Sequence, residues 1–293
     1  APPLYADYHP IQPQAQAATV RLDGRTLSVD AVVQVARFGA KVEFTQEALD
    51  SMAGNYGLLL EATAEGIPVY WFNRGSGDQR ETVIFEGDAL SATNRPIVEK
   101  VQEASFRQAS LYGVGPEVDH EEIVRAMMVV RANSMVHNAP SPALARMLVD
   151  LLNRRVTPVV RSRGSVGEGD LGPLGNVGGT MIGVGDAYLN GERVPAREAL
   201  RRSGLAPLKP FAADDNALTS SNAYAVGQAA LLVHDARELL QWTDLSYAMA
   251  LNGLAAMVLE AQSSSPAELA QRLRRDHDRW GPLVKQIGFT AEG

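Results

Sequence analysis

The sequence predicts a mainly α protein with a bundle of long helices and a small mixed N-terminal part. Residues 225–242 and 245–262 are long, alanine-rich and apolar on most faces, and helices of that kind belong in a buried bundle. Shorter stretches with helical spacing and end signals recur at residues 30–37, 45–60, 94–111, 121–137 and 141–153. Between the two sets lies a glycine-rich stretch, residues 164–176, on which the rest of the chain is organised.

The opening to Gln16 is rich in Pro and Gln and reads as an extended tail, residues 1–18. Thr19-Val20-Arg21-Leu22 alternates, Asp23-Gly24 turns, and Thr26-Leu27-Ser28-Val29 alternates back, which predicts a short hairpin. Ser28 or Asp30 then caps a helix through Arg37, and Thr45 caps the next. Residues 67–77 form an aromatic run ending in a glycine turn: Ile67-Pro68-Val69-Tyr70-Trp71-Phe72-Asn73-Arg74-Gly75-Ser76-Gly77. Arg74 there either pairs with a substrate carboxylate or forms a surface salt bridge. Ser141-Pro142 opens the helix of residues 141–153, and His137 is a ligand, a base or a solvated helix-end cap. Residues 266–280 predict a charged amphipathic outer helix or tail. The division that follows is tail 1–18, active-site-loop region 19–216 and the first part of a central bundle, 217–293.

The glycine stretch reads Gly164-Ser165-Val166-Gly167-Glu168-Gly169-Asp170-Leu171-Gly172-Pro173-Leu174-Gly175-Asn176. Glycines allow positive φ and close backbone approach. Asp170 can cap a helix starting at the next residue, with Pro173 in its first turn. The free N–H groups of such a helix start favour an anionic ligand; the alternative is a structural turn. No Gly-Lys-Ser/Thr follows, so it is no Walker loop, and no strand and acidic partner frame a dinucleotide fingerprint.

The chain has 27 Lys+Arg against 34 Asp+Glu, a formal charge of -7 with no basic block, which argues against nucleic-acid binding. It has no cysteine, so disulfides, thiolate metal sites and a cysteine nucleophile are excluded. No apolar run reaches membrane-spanning length. The start at Ala1-Pro2-Pro3 without methionine implies a trimmed initiator or a removed signal peptide. A periplasmic or secreted location is expected, with the cytoplasm as the alternative.

The glycine stretch resembles the active-site loop of the aromatic amino acid lyases, the histidine and phenylalanine ammonia-lyase family, which runs Gly-Ser-Val-Gly-Ala-Ser-Gly-Asp-Leu-Ala-Pro-Leu. Gly164 to Gly167, Asp170-Leu171, Pro173 and Leu174 match. In that family Ala-Ser-Gly condenses into an electrophilic methylidene-imidazolone (MIO) ring. Here only Glu168-Gly169 fills the place, with no serine between Gly167 and Asp170. Tyr70, Asn73, Gly75 and Gly77 resemble the family segment Val-Tyr-Gly-Val-Asn-Thr-Gly-Phe-Gly, whose tyrosine is a catalytic base on a mobile lid. Gly113-Val114-Gly115 and Arg131-Ala132-Asn133 also match, and that alignment puts Ser110 at the family histidine. The family asparagine that polarises the ring falls on Ser220, with Asn222 two places on.

The resemblance, over about residues 19–262, implies the long-helix bundle of the ammonia-lyase/fumarase type, a hairpin at residues 191–195 with a short helix, 196–203, after it, and a lyase without the ring, a metal or another cofactor. Lacking the ring, the substrate must bring its own activation. A quaternary ammonium does so, as in ring-less relatives of the ergothionase type that release trimethylamine. In that reading Tyr70 abstracts the proton, Trp71, Phe72 and Tyr112 box the cationic head, and Glu168 attracts it. Arg74, Asn73, Ser110, Ser220 and Asn222 line the substrate site, Gly167, Gly169 and Asp170 shape the loop, and helix N-termini stabilise a developing carboxylate-enolate. The alternatives are a ring-independent hydratase or isomerase on an aromatic or alkyl acid, and a non-catalytic ammonia-lyase-like subunit. Family members are longer and pack as tetramers, so a small-molecule substrate, an oligomer and a second chain supplying the C-terminal half are expected.

Overall fold

In the computed structural model, residues 8–14, 18–256 and 265–286 are described. The chain divides into two compact units, the first ending at Arg237 and the second beginning at Glu238.

The first unit begins with β1 (Val20–Leu22), which leads into α1 (Val29–Ala36) and then β2 (Val42–Phe44). The expected hairpin does not form. β1 pairs in parallel with β2, Val20 opposite Val42, and α1 is the crossover between them. The reason is local: the Asp23 carboxylate accepts the N–H groups of Arg25 and Thr26 and the Thr26 hydroxyl, which turns the chain toward a helix instead of back along β1. Ser28 caps that helix through Ala31 N, and Thr45 caps α2 (Gln46–Ala64) through Ala48 N.

After the aromatic run come α3 (Arg95–Ala109), β3 (Val114–Glu117), α4 (Glu121–Ser134) and α5 (Pro142–Asn153). α4 is the central helix, buried on most faces, and it carries two buried arginines. Arg125 donates to Val35 O and Leu152 O. Arg131 donates to Leu218 O at 2.9 Å, to Ala217 O, to Ser134 Oγ and to Asn138 Oδ1. Burial pushes both guanidinium groups down to about 10, and the carbonyls supply the acceptors that burial otherwise denies them. His137 donates from Nε2 to Gly24 O and so ties α4's end to the first turn.

Then come β4 (Val156–Pro158), β5 (Arg161–Arg163), α6 (Leu171–Met181), β6 (Asp186–Leu189), β7 (Glu192–Pro195), α7 (Ala196–Arg202) and α8 (Asp214–Thr219). β4, β6 and β7 make an antiparallel sheet whose last two strands are the expected hairpin. The part of the expected tail that is described packs on the body: His9 N donates to Asp119 O, and Ile11 N to the buried Glu121.

The two helices expected over 225–262 are one through the described residues: α9 (Ala223–Ala256) has 34 residues, and positions 257–262 lie outside the described ones. Thr243-Asp244 does not break it, because the Thr243 hydroxyl bonds back to Leu239 O within the helix. The second unit holds the end of α9 and α10 (Pro266–Gln286), the amphipathic helix expected there. Within it, Leu239, Leu240, Trp242, Tyr247 and Met249 are exposed.

Candidate active site

β3 and β5 pair antiparallel, Val114 opposite Arg163 and Glu117 opposite Arg161. The Asn176 side chain on α6 accepts from Arg161 N at 2.8 Å and donates to Ser110 O at 2.9 Å. One amide thus ties β5, α6 and the end of α3, and it sets Tyr112 beside the glycine loop. A Cβ on Gly164, which has φ +115°, would lie 2.5 Å from Tyr112 O, so only glycine permits that approach.

α6 starts where the sequence places it, but Asp170 does not cap it. Gly172 N–H already donates to Gly164 O, and Pro173 has no N–H, so the carboxylate has no helix donor to accept. It accepts Tyr224 N instead, at 2.7 Å, on the first turn of α9. The anion-binding helix start expected here therefore has its second amide engaged and its third removed. Within the loop Val166 N donates to Gly169 O, and Glu168 stands exposed beside Gly167, which has φ +88°.

The aromatic run folds on itself. Asn73 accepts Val69 N and donates to Ile67 O, so its buried side chain is a pin of the loop. Phe72 is buried against Phe85, ring centroids 5.2 Å apart. Tyr70 is half exposed, and its phenol oxygen accepts Gly77 N–H at 3.0 Å. Trp71 holds φ 58°, a left-handed conformation uncommon for a bulky residue. Its ring meets that of Tyr70 edge-on at 6.0 Å.

A cavity of about 390 Å³ lies between this run and the glycine loop, lined by Tyr70, Trp71, Ser76, Gly77, Tyr112, Gly164, Val166 and Leu171. The structure thus brings together Tyr70, Trp71 and Tyr112 from the predicted set. Phe72 and Asn73 point into the run's own packing. Arg74 donates to Asn73 O, the Ser110 hydroxyl donates to Arg107 O, and Ser220 and Asn222 are exposed near the start of α9. A hollow of about 480 Å³ between α2 and α5 contains none of the predicted residues.

Two buried acids that the sequence does not mark as such, Asp214 and Asp215, lie on α8. Asp214 is pushed up to about 6 by burial, against the pull of Phe211 N, Ser141 N and the Ser141 hydroxyl. Asp215 is 3% exposed and also pushed up to about 6 by burial, and its backbone N–H donates to the Gln102 side chain on α3. Its Oδ1 has no partner among the described residues. The Tyr112 phenol is pushed up by burial and by the charge of Asp215. Adjacent acids at a helix start ordinarily signal a favourable dipole contact, and nothing in their spacing announces burial. A metal-ligating geometry occurs elsewhere: His9, Asp119 and His120, all exposed, offer ligand atoms within 4.8 Å of one another. No helix among the described residues is long and apolar enough to cross a membrane.

Comparison with known proteins agrees with this architecture. The chain is 32% identical over 242 residues to a histidine ammonia-lyase of Fusobacterium nucleatum, covering 82% of this chain and 45% of that protein. It is 36% identical over 234 residues to the histidine ammonia-lyase of Gloeobacter violaceus, covering 78% and 43%. The chain therefore spans less than half the length of these relatives. Among solved structures it is similar to ergothionase, an ergothioneine-degrading enzyme from Treponema denticola, with TM-score 0.71 and 28% identity over 80% of this chain and 46% of that one. The histidine ammonia-lyase of Trypanosoma cruzi shares the fold, with TM-score 0.71 and 24% identity over 81% of this chain and 45% of that one. A family model described as aromatic amino acid lyase matches residues 27–271. With that match running from α1 into α10 and through the glycine loop, the chain belongs to the aromatic amino acid lyase family.

Proposed function

We propose that this protein is a lyase that eliminates an amine from an amino-acid-derived substrate without an MIO ring, the amine being trimethylamine or a similar tertiary amine. The observation that carries the reading is the cavity: three aromatic side chains, Tyr70, Trp71 and Tyr112, face a loop in which Glu168-Gly169 replaces the ring-forming tripeptide. Aromatic rings attract quaternary ammonium groups. The Tyr70 phenolate takes the β-proton and becomes the phenol, the C–H electrons form the Cα–Cβ double bond, and the C–N bond breaks with its electron pair leaving on the neutral amine. Gly77 N–H, donating to the phenol oxygen, orients the base. Glu168, exposed at the loop tip, attracts the cation at long range rather than by contact. The similarity to ergothionase supports the same substrate class.

The exposed apolar residues of α9 support further helices packing on it, from a second chain or other copies in an oligomer. Activity is to be measured on the assembled protein. Trimethylamine release from a trimethylammonium amino-acid betaine is expected, insensitive to borohydride. The intact mass should equal the sequence sum. Tyr70→Phe should lower turnover about 10²-fold or more without unfolding the chain. A deficit of two waters in the loop, ammonia release from free histidine at a comparable rate, or normal turnover by Tyr70→Phe would each refute the reading.

A further inference from the structure

Residues 8–11 are tied to the body along their length. Tyr8 stacks on Tyr188 with ring centroids 3.4 Å apart. His9 N–H donates to Asp119 O at 2.7 Å and Glu121 N–H donates to His9 O at 3.1 Å, which pairs His9 with His120 in a parallel bridge. Ile11 N–H donates to the Glu121 carboxylate at 2.9 Å. The bridge fixes, by backbone alone, two histidines that are far apart in the sequence. Their rings stack with centroids 4.3 Å apart. Asp119, next to His120, brings a carboxylate to the same place, its Oδ1 4.0 Å from His120 Nε2. One ligand atom from each of the three lies within 4.8 Å of the others.

We propose that His9, Asp119 and His120 bind a divalent transition-metal ion, zinc by the chemistry of the donors, and that the ion clamps the N-terminal arm to the start of α4. Two imidazoles and one carboxylate suit zinc and its neighbours, whereas magnesium and calcium take oxygen ligands. Zinc about 2.0–2.2 Å from each ligand in a tetrahedron needs ligand atoms about 3.3–3.5 Å apart. The three side chains are exposed, so rotation about their own bonds closes the difference. Ligation turns the two rings out of their stack until their in-plane lone pairs converge beside the carboxylate. His120 is the N-cap of α4 but its side chain makes no cap bond, so the imidazole is available. The positive end of α4 opposes a cation there, and the acidic Glu121 in its first turn offsets that. None of the three residues lines the cavity of Tyr70, Trp71 and Tyr112, so the site does not depend on the amine-elimination reading.

The test titrates the full chain in its assembled state, stripped of metal by chelator, with zinc chloride alone and follows the heat. One zinc per chain should bind with Kd below about 0.1 mM. Binding should weaken tenfold or more in His9→Ala, in His120→Ala and in Asp119→Asn. His234→Ala, which alters a histidine of α9, should bind as the parent does. Magnesium chloride at the same concentration should give no saturable heat. The clamp is read by amide hydrogen exchange: with free zinc at about ten times Kd, the Ile11 amide should exchange about tenfold more slowly in the parent. In His9→Ala the same zinc should leave that amide at its metal-free rate. No saturable uptake of zinc, or uptake that survives each of the three substitutions, would overturn the site. Uptake that depends on all three residues but leaves the Ile11 amide unchanged would keep the site and overturn the clamp. Should one variant fail to fold, the other two decide.

Discussion

Pro173 removes the amide that the Asp170 carboxylate would otherwise cap, and the carboxylate reaches to Tyr224 instead. Single side chains of this kind decide how the loop is held, and their ionisation decides how the fold responds to pH. The protonated forms of Asp214 and Asp215 are favoured by folding, since both carboxyls are raised from 3.8 to about 6. Between those values the folded chain holds more protons than the unfolded one. The stability these groups contribute is therefore present below about 4 and lost as pH rises through about 6. The stability of the wild type minus that of Asp215→Asn, from urea unfolding, should accordingly fall by on the order of 2 kcal/mol between pH 4.5 and 7.5. A pH-independent difference would show that Asp215 does not titrate there. Tyr70 and Trp71 stood out because their run resembles a family segment, and both line the cavity. Asp215 was not legible, because its burial comes with contacts such as that to Gln102 on α3, far off in the chain.

At the level of elements, α3 and α6 approach closely enough that side chains are excluded between them. A Cβ on Gly175 would lie 2.2 Å from Ala109 O, a backbone atom that cannot swing aside. Gly175→Ala should destabilise by about 1–3 kcal/mol, with the midpoint of thermal unfolding lowered to match. Gly57, exposed in α2 with nothing within 4 Å of its would-be Cβ, gives the opposite sign. Gly57→Ala should stabilise by roughly 0.5–1 kcal/mol, because a helical glycine has only its entropy cost to lose. If both substitutions moved stability the same way, the close contact of α3 with α6 would be in doubt. Periodicity and caps gave these helices from sequence, Ser28, Thr45 and Ser141 among them. The parallel β1–β2 pair was hidden because its two strands meet only after α1 has turned the chain around. The six residues of α8 were too few to show a period.

Across the whole molecule, the fold was readable because its motifs are tied to backbone geometry: Gly164 and Gly113 mark approaches that only glycine allows. The cavity was only half readable. Its walls come from residues 70–77, 112 and 164–171, and sequence adjacency does not tell which neighbours of Tyr70 turn inward. Phe72 and Asn73, one and two places past Trp71, serve the loop's own packing. Arg131 carries a further consequence. Its guanidinium joins the last carbonyls of α8 to the end of α4. In amide hydrogen exchange, α8 should then open together with the slow core of α4 and not as a fraying surface turn. Arg131→Lys keeps the charge but cannot span the same acceptors. Amides of residues 214–219 should exchange roughly 10- to 100-fold faster in that variant, with the middle of α4 much less affected. Unchanged exchange across α8 would mean that packing alone holds it. The faster exchange would make α8 a separately melting segment inside the buried body, kept in the slowest-exchanging class by one side chain.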